Sequence, residues 1–159
     1  MKVAESRIQW IGGSDLPESK IIEAEKEFGF SFPQAFRTLL QKNDGGRPEC
    51  WIVPFCNPRG GNLDIRTELC EIISLKSEGG KISPFTMINR KVRSHTTGYV
   101  IFADDIGGNS FAFDFTKGFD PTIVLIPAFE FDPIYVAENY NEFTNSAMTS
   151  DLGINSEIS

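Results

Sequence analysis

The chain has 159 residues, of which 40% are hydrophobic, and its 12% aromatic share includes fourteen phenylalanines. This length and composition predict a single domain with a substantial core. They exclude both a disordered adaptor and a membrane span, since no apolar run approaches the ~20 residues that a span needs. The formal net charge of -7 disfavours nucleic acid as a direct ligand, because phosphate binding depends on clustered Lys and Arg, and it favours a basic partner.

Two helices are predicted near the N-terminus, after a lead-in over residues 1–14 that docks an aromatic side chain. The first helix begins with Asp15 as its N-cap and ends at Gly29, which can adopt the left-handed conformation. The second helix has Pro33 in its first turn, and the run Asn-Asp-Gly-Gly at 43–46 ends it. These signals predict an N-terminal helix pair.

The next predicted elements are two strands, a loop and a helix. Trp51–Phe55 reads as a strand, and Pro54 within it indicates a sheet edge or a strand end. Glu68–Leu75 is a second apolar and β-branched run. A glycine-bearing loop is expected over residues 77–84, followed by a short irregular helix over residues 85–92.

A β-hairpin is predicted at the centre of the chain. Tyr99–Phe102 is an apolar, β-favouring block, and in Phe111–Phe115 three phenylalanines alternate with Ala and Asp. Between them, residues 104–109 contain two Asp, two Gly and an Asn, which can reverse the chain. The turn has three interpretations: a plain turn, a partner-facing loop, or a metal or nucleotide site. The last is disfavoured, because the spacing matches no phosphate or calcium loop.

The C-terminal part is predicted to contain one strand and one helix. Thr122–Ile126 is nearly continuously apolar, as in an interior strand that is covered on both faces. Asp132-Pro133 turns the chain, and helical spacing then runs from Tyr135 to about Ala147. We therefore expect one domain over residues 1–148 and a frayed tail over residues 149–159. The fold class is α+β, with the N-terminal helix pair and the C-terminal helix packed on a largely antiparallel β-sheet.

Several short motifs among these elements follow one another at characteristic intervals along the chain. In the N-terminal part they are Ile21 to Glu25, Phe28-Gly29, Phe32-Pro33, Phe36, Leu39-Leu40 and Asn43-Asp44-Gly45-Gly46. Further along they are Phe102-Ala103-Asp104-Asp105-Ile106-Gly107-Gly108-Asn109, Phe113-Asp114, Val136-Ala137 and Phe143. In this order and spacing, from about Leu16 to Phe143, the chain resembles the SUKH superfamily of SMI/KNR-type domains.

The resemblance implies an α+β fold that acts through protein contacts rather than catalysis, and it implies no cofactor. Bacterial members of this family are immunity proteins that bind and neutralise a cognate toxin of polymorphic or contact-dependent systems, frequently a nuclease. Fungal members regulate cell-wall synthesis. Residues 57–66 and 77–93 fit the family pattern poorly, so the resemblance assigns no residue roles there.

The sequence gives little support to catalysis or metal binding. Cys50, Cys56 and Cys70 form no C-x-x-C pair, and the single histidine, His95, has no nucleophile motif near it. We therefore expect buried free thiols in a reducing cytoplasm, and neither a zinc site nor a disulfide framework. His95 is interpreted as an ordinary loop residue, and the protein is not expected to be an enzyme.

A toxin inhibitor needs a complementary surface rather than a catalytic centre. A nuclease cleft is basic because it holds phosphates, so an acidic protein can be steered into it by charge. The candidate toxin-binding residues are four acids and three aromatic anchors: Asp104, Asp105, Glu130, Asp132, Phe129, Phe131 and Tyr135. The alternative is that each acid is a solvated surface charge and each aromatic residue belongs to the core.

The sequence thus favours a cytoplasmic immunity protein that occludes a cognate toxin stoichiometrically. Two other classes stay open: a regulatory scaffold of the same fold whose partner is not a toxin, and a small hydrolase or ligand-binding domain that uses the hairpin loop. We expect a monomer, or a weak homodimer through a sheet edge near Pro54, with no membrane contact and no direct nucleic-acid contact.

Overall fold

Six of the strands that the structure describes form an antiparallel main sheet, and helices pack against it. The computed structural model describes residues 8–55, 65–128 and 132–148. Within those ranges the elements are, in chain order, β1 (Trp10–Ile11), α1 (Glu18–Phe28), α2 (Gln34–Asn43), β2 (Arg47–Pro48), β3 (Ile52–Phe55), β4 (Ile65–Ile72), α3 (Pro84–Arg93), β5 (Tyr99–Asp105), β6 (Ser110–Asp114), β7 (Thr122–Ile126), β8 (Ile134–Ala137) and α4 (Tyr140–Asn145).

The main sheet has the order β3-β4-β5-β6-β7-β8, so each strand pairs with its neighbour along the chain. A separate ladder joins β1 to β2, with Trp10 opposite Pro48. The predicted α+β fold is confirmed, and β7 is an interior strand as expected. β3 is an edge strand, and two backbone hydrogen bonds of 2.8 and 3.0 Å join Ile52 to Met148 on its outer side. Part of the edge near Pro54 is therefore already occupied within the chain.

Phenylalanine rings fill the face of the sheet that carries the N-terminal helix pair. Phe102 of β5 and Phe113 of β6 are stacked, with ring centroids 4.3 Å apart. Phe36 of α2 contacts both rings edge-on at 5.2 Å, and Phe143 of α4 meets Phe102 at 5.9 Å. All four side chains are completely buried. Since burying one such side chain contributes about 1.5–3 kcal/mol, this cluster holds α2 and α4 on the sheet.

The first helix ends where predicted but begins later. Gly29 has a φ of 71° and closes the last turn of α1 in the left-handed conformation, which confirms the prediction. The predicted N-cap is wrong, because α1 begins only at Glu18 and Asp15 makes no cap. The reason is that the backbone N–H groups of Ser14 and Leu16 donate to carbonyls at the end of α2, at 3.1 and 3.3 Å. These bonds hold that segment outside the helix.

The Asn-Asp-Gly-Gly turn after α2 joins the helix pair to the end of β4. The carboxylate of Asp44 is buried and accepts hydrogen bonds from the Ser74 hydroxyl at 2.7 Å and the Leu75 N–H at 2.9 Å. Burial raises the pKa of Asp44. Gly45 has a φ of 72°, and a Cβ on Gly46 would lie 2.9 Å from a backbone carbonyl oxygen. Both glycines are thus required for this approach.

Helix α3 lies along the edge of β5, beyond the point where β4 stops pairing at Ala103. The buried Asn89 amide accepts a hydrogen bond from the Ile101 N–H at 2.8 Å and donates one to the Ile101 carbonyl at 3.0 Å. It thereby replaces the missing neighbouring strand. Phe85 at the start of α3 joins the phenylalanine-rich core, and Val92 near its end joins a smaller apolar cluster on the other face. One helix therefore seals both faces at this edge.

Two predicted helices differ from the observed elements. The short irregular helix expected over residues 85–92 is a regular ten-residue helix with Ser83 as its N-cap. The C-terminal helix expected from Tyr135 is wrong in its first half, because Ile134–Ala137 forms β8 and the helix is confined to Tyr140–Asn145. Ile, Tyr and Val in this run are also favourable in a strand, and pairing with β7 stabilises the strand conformation rather than the helix.

Replacing Asn89 with Ala should lower the free energy of unfolding by about 2–3 kcal/mol, because the N–H and carbonyl of buried Ile101 would lose their partners. Met87→Ala, on the exposed side of the same helix, is the matched control and should cost less than about 0.5 kcal/mol. Urea denaturation measures both values. Equal losses in the two variants would contradict the role of Asn89 at the sheet edge.

Candidate partner-binding surface

The buried carboxylate of Asp105 closes the β5–β6 hairpin. One of its oxygens accepts the N–H groups of Gly107 at 2.9 Å and Asn109 at 2.7 Å. The other accepts the Asn109 side-chain amide at 2.9 Å and the Thr67 hydroxyl at 2.7 Å. The predicted hairpin is confirmed. Asp105 is only 4% exposed, so its carboxylate maintains the loop, and a contact with a partner would have to break these bonds.

Asp104 lies directly opposite Glu71 across β4 and β5. Side chains in this relation share one face of the sheet, with Cβ atoms about 4.5–5.5 Å apart. Partial burial, followed by repulsion from Glu71 and Asp105, raises the pKa of Asp104. Both side chains are exposed, and neither carboxylate forms an ion pair within the described part of the chain. The fold therefore concentrates negative charge here, and no cation of the described ranges pairs with it.

A groove beside this acidic pair runs between α3 and the sheet. Asp104 faces Ser110 of β6, and Ser110 faces Ile126 of β7. Ser110 and Ile126 line a groove of about 380 Å³, whose other wall includes Lys91 of α3 and His95, which follows the helix. Its floor belongs to the smaller apolar cluster beneath α3, which consists of Val92, Ile101, Ala112, Val124 and Ile126. The acidic pair thus lies at the edge of a concave surface with an apolar floor.

Tyr135 lies on the same face of the sheet as this groove. It is opposite Val124 of the small apolar cluster and is 52% exposed. Its hydroxyl donates to the Glu138 carboxylate at 3.2 Å. Because β8 is three strands from β5, roughly 14 Å of sheet separates Tyr135 from Asp104. Asp132 is exposed just before β8. The other candidates lie outside the described residues: Phe129, Glu130 and Phe131.

Glu71 was missed as a candidate site residue, although one signal for it was available. Its alternation with the apolar Ile72 places it on the solvent side of a half-buried strand. What single-sequence reasoning cannot supply is the register that sets Glu71 opposite Asp104, since the two residues lie on different elements. Phe119 is 92% exposed in the loop before β7, and no signal in the sequence distinguishes it from the other phenylalanines, which mostly indicate core.

The histidine and cysteine side chains of the described residues do not form a metal site on this surface. The described ranges contain no group of three or more His, Cys, Asp or Glu residues that could hold a metal ion. His95 is exposed after α3. Cys50 and Cys70 are half-buried thiols rather than fully buried ones, and Cys56 is outside the described residues. In the same ranges no helix is long and apolar enough to cross a bilayer.

These features define an α+β domain whose exposed sheet face combines an acidic pair with an adjoining groove. A comparison with protein families matches residues 16–146 to the SMI1 / KNR4 family (SUKH-1). The match covers most of the chain, so the protein belongs to this family, and the resemblance seen in the sequence is confirmed. Neither the curated proteins nor the solved structures gave a significant match.

Replacing Asp105 with Ala should lower the free energy of unfolding by at least about 2 kcal/mol, since four hydrogen bonds to a buried carboxylate are lost. Urea denaturation measures the change, and faster amide hydrogen exchange at Gly107 and Asn109 should accompany it. Unchanged exchange at these two amides would contradict the role of Asp105 in closing the hairpin.

Asp104→Asn should instead stabilise the protein at neutral pH, by about 0.5 kcal/mol, because it removes a partly buried charge and its repulsion from Glu71. The raised pKa of Asp104 means that the folded state binds its proton more tightly than the unfolded state does. Ionisation of Asp104 therefore destabilises the fold as pH rises through these pKa values, and the gain from Asn should vanish below about pH 3.9.

Asp120→Asn removes an exposed carboxylate on the loop before β7 and is the control for this comparison. Thermal and urea unfolding across the acidic and neutral range give the two pH profiles. Destabilisation by Asp104→Asn at neutral pH, relative to the control, would contradict the repulsive pair.

Proposed function

We propose that the protein is an immunity protein, which binds a cognate toxin of a polymorphic or contact-dependent system and neutralises it by stoichiometric occlusion. The proposed toxin is a nuclease, because a phosphate-binding cleft presents the basic surface that an acidic inhibitor complements. Membership of the SMI1 / KNR4 family over residues 16–146 supports this function, since the family resemblance implies toxin neutralisation for bacterial members.

The observation that carries the proposal is the Glu71–Asp104 pair. Two like charges placed opposite each other on a sheet are unfavourable in the isolated protein. A Lys or Arg side chain of the toxin between them would turn repulsion into two charge-assisted hydrogen bonds, which are stronger than neutral ones. The pair is therefore suited to a cationic group supplied by a partner. Asp105 supports this contact indirectly, by holding the hairpin on which Asp104 stands.

The groove next to the pair supplies contact area of a different kind. Tyr135 is a half-exposed aromatic side chain on the same face, and aromatic side chains are common anchors in interfaces. Ile126 lies on the groove floor, and Asp132 adds a further exposed acid at the end beside β8. In this proposal the apolar contacts hold the toxin, while the acids steer it and fix its orientation.

Occlusion of this kind requires neither catalysis nor a cofactor. The protein acts on a cytoplasmic toxin as a partner and not as an enzyme, so inhibition should be complete at one inhibitor per toxin. A regulatory scaffold of the same fold would bind its partner without abolishing toxicity. The experiment therefore measures toxicity as well as binding.

The test begins with a tagged pull-down from the native cell, followed by co-expression of the captured toxin domain with variants of the protein. The wild type should restore growth and abolish the activity of the purified toxin at equimolar ratio. Glu71→Lys plus Asp104→Lys should weaken binding by at least about tenfold, because the new charges repel a basic surface, and should fail to restore growth.

Glu49→Lys plus Asp120→Lys makes the same change in net charge at exposed positions elsewhere and is the matched control. It should restore growth like the wild type. Equal rescue by both double variants would remove the acidic pair from the interface while keeping the immunity function. Binding by the wild type without loss of toxicity would contradict the immunity function itself.

A further inference from the structure

Residues 76–93 form a basic stretch in an otherwise acidic chain. They contain one acid, Glu78, and five basic residues, although the net charge of the whole chain is -7. The five are Lys76, Lys81, Arg90, Lys91 and Arg93. The stretch includes all of α3 and the loop before it. Its charge is opposite to that of the surface proposed to bind the toxin.

A groove of about 610 Å³ lies between this loop and α3, with lysines at its rim. We call it the lysine-rimmed groove. Its floor includes Ile82, Met87 and Ile88, of which Ile82 is 46% and Met87 58% exposed. A large apolar side chain exposed to solvent lacks the stabilisation that burial would give it. Met also adapts its shape readily to a bound surface.

Four basic residues of this stretch divide into two that are engaged by α1 and two that line the groove. Arg90 is held by Glu27 of α1 at 2.6 Å, and Arg93 donates to the Glu27 carbonyl at 2.8 Å. Lys81 and Lys91 form no ion pair within the ranges that the structure describes. Both line the groove and are exposed. Two ammonium groups therefore flank an apolar floor, and each can donate hydrogen bonds to a carboxylate.

We propose that the lysine-rimmed groove binds a segment of a partner protein in which Asp or Glu residues flank Leu, Ile or Phe side chains. The charge at the rim selects the acidic residues, and the exposed Ile82 and Met87 select the apolar ones. Nucleic acid fits less well, because the described residues that line the groove include no aromatic ring that could stack on a base, and Glu78 would repel phosphate.

This site is distinct from the acidic pair, although Ile88 and Lys91 line both grooves, and its test needs no toxin. The test uses the full chain and a fluorescent synthetic peptide of about 16 residues, with Leu at every third or fourth position and Glu at the others. Fluorescence anisotropy at physiological salt measures the dissociation constant. A peptide of the same pattern with Lys in place of Glu, and a single-stranded oligonucleotide of similar charge, are the comparison probes.

The acidic peptide should bind more tightly than both comparison probes. Lys81→Glu plus Lys91→Glu should weaken its binding by about tenfold or more, whereas Lys42→Glu plus Lys117→Glu, with the same charge change on exposed residues elsewhere, should not. Met87→Ser should also weaken it, and Phe119→Ser, at another exposed apolar position, should leave it unchanged.

Three results would overturn the proposal. The first is equal loss in the two charge-reversal variants, and the second is equal or tighter binding of the oligonucleotide, which would mark a general polyanion site. The third is a concentration-dependent dimer in sedimentation that Met87→Ser abolishes, since a second copy of the chain would then occupy the groove. Circular dichroism of each variant ensures that loss of binding is not loss of fold.

Discussion

The stack of Phe102 on Phe113 across the β5–β6 hairpin, with ring centroids 4.3 Å apart, is the contact on which the rest of the structure depends. Phe36 of α2 and Phe143 of α4 both pack on this stack, so it fixes the helices on one face of the sheet. It also fixes the orientation of the hairpin. Once these rings are inward, alternation along β6 directs Ser110 to the opposite face, and the register shift between Ile101 and Ala103 in β5 brings Asp104 to that face, opposite Ser110. Asp104 is presented outward on that hairpin.

The two faces of the sheet are built differently, and this difference creates the candidate surfaces. One face carries large aromatic rings and is closed by three helices. The other carries small side chains such as Ser110 and Ala112, so α3 can lie close to it and leave grooves along its sides. Charges of opposite sign are also separated. The acids Glu71 and Asp104 lie on strands of the sheet, whereas the lysines lie on α3 and in the loop before it. A net charge of -7 conceals this separation.

Local signals in the sequence predicted most of the fold, including the helix pair, the hairpin and the interior strand β7. They failed where contacts between residues distant in sequence determine the structure of a segment. Asp15 is a favourable cap residue, but hydrogen bonds to the end of α2 hold its segment outside the helix. Ile134–Ala137 has residues suited to either element, and β7 recruits it as a strand. The pairing of Glu71 with Asp104 depends on the register of the strands. The hydrogen bonds of Asn89 to Ile101 depend on where β4 ends. Neither can be inferred from the local sequence pattern.

The most direct measurement is amide hydrogen exchange of the protein alone and in complex with its captured toxin. If the toxin covers the face that bears the acidic pair, exchange should slow at Glu71, Asp104 and Tyr135 in the complex, while the exposed ends of α1 and α2 stay unchanged. Protection confined to the α1–α2 surface, with Glu71 and Asp104 exchanging as in the free protein, would contradict the account.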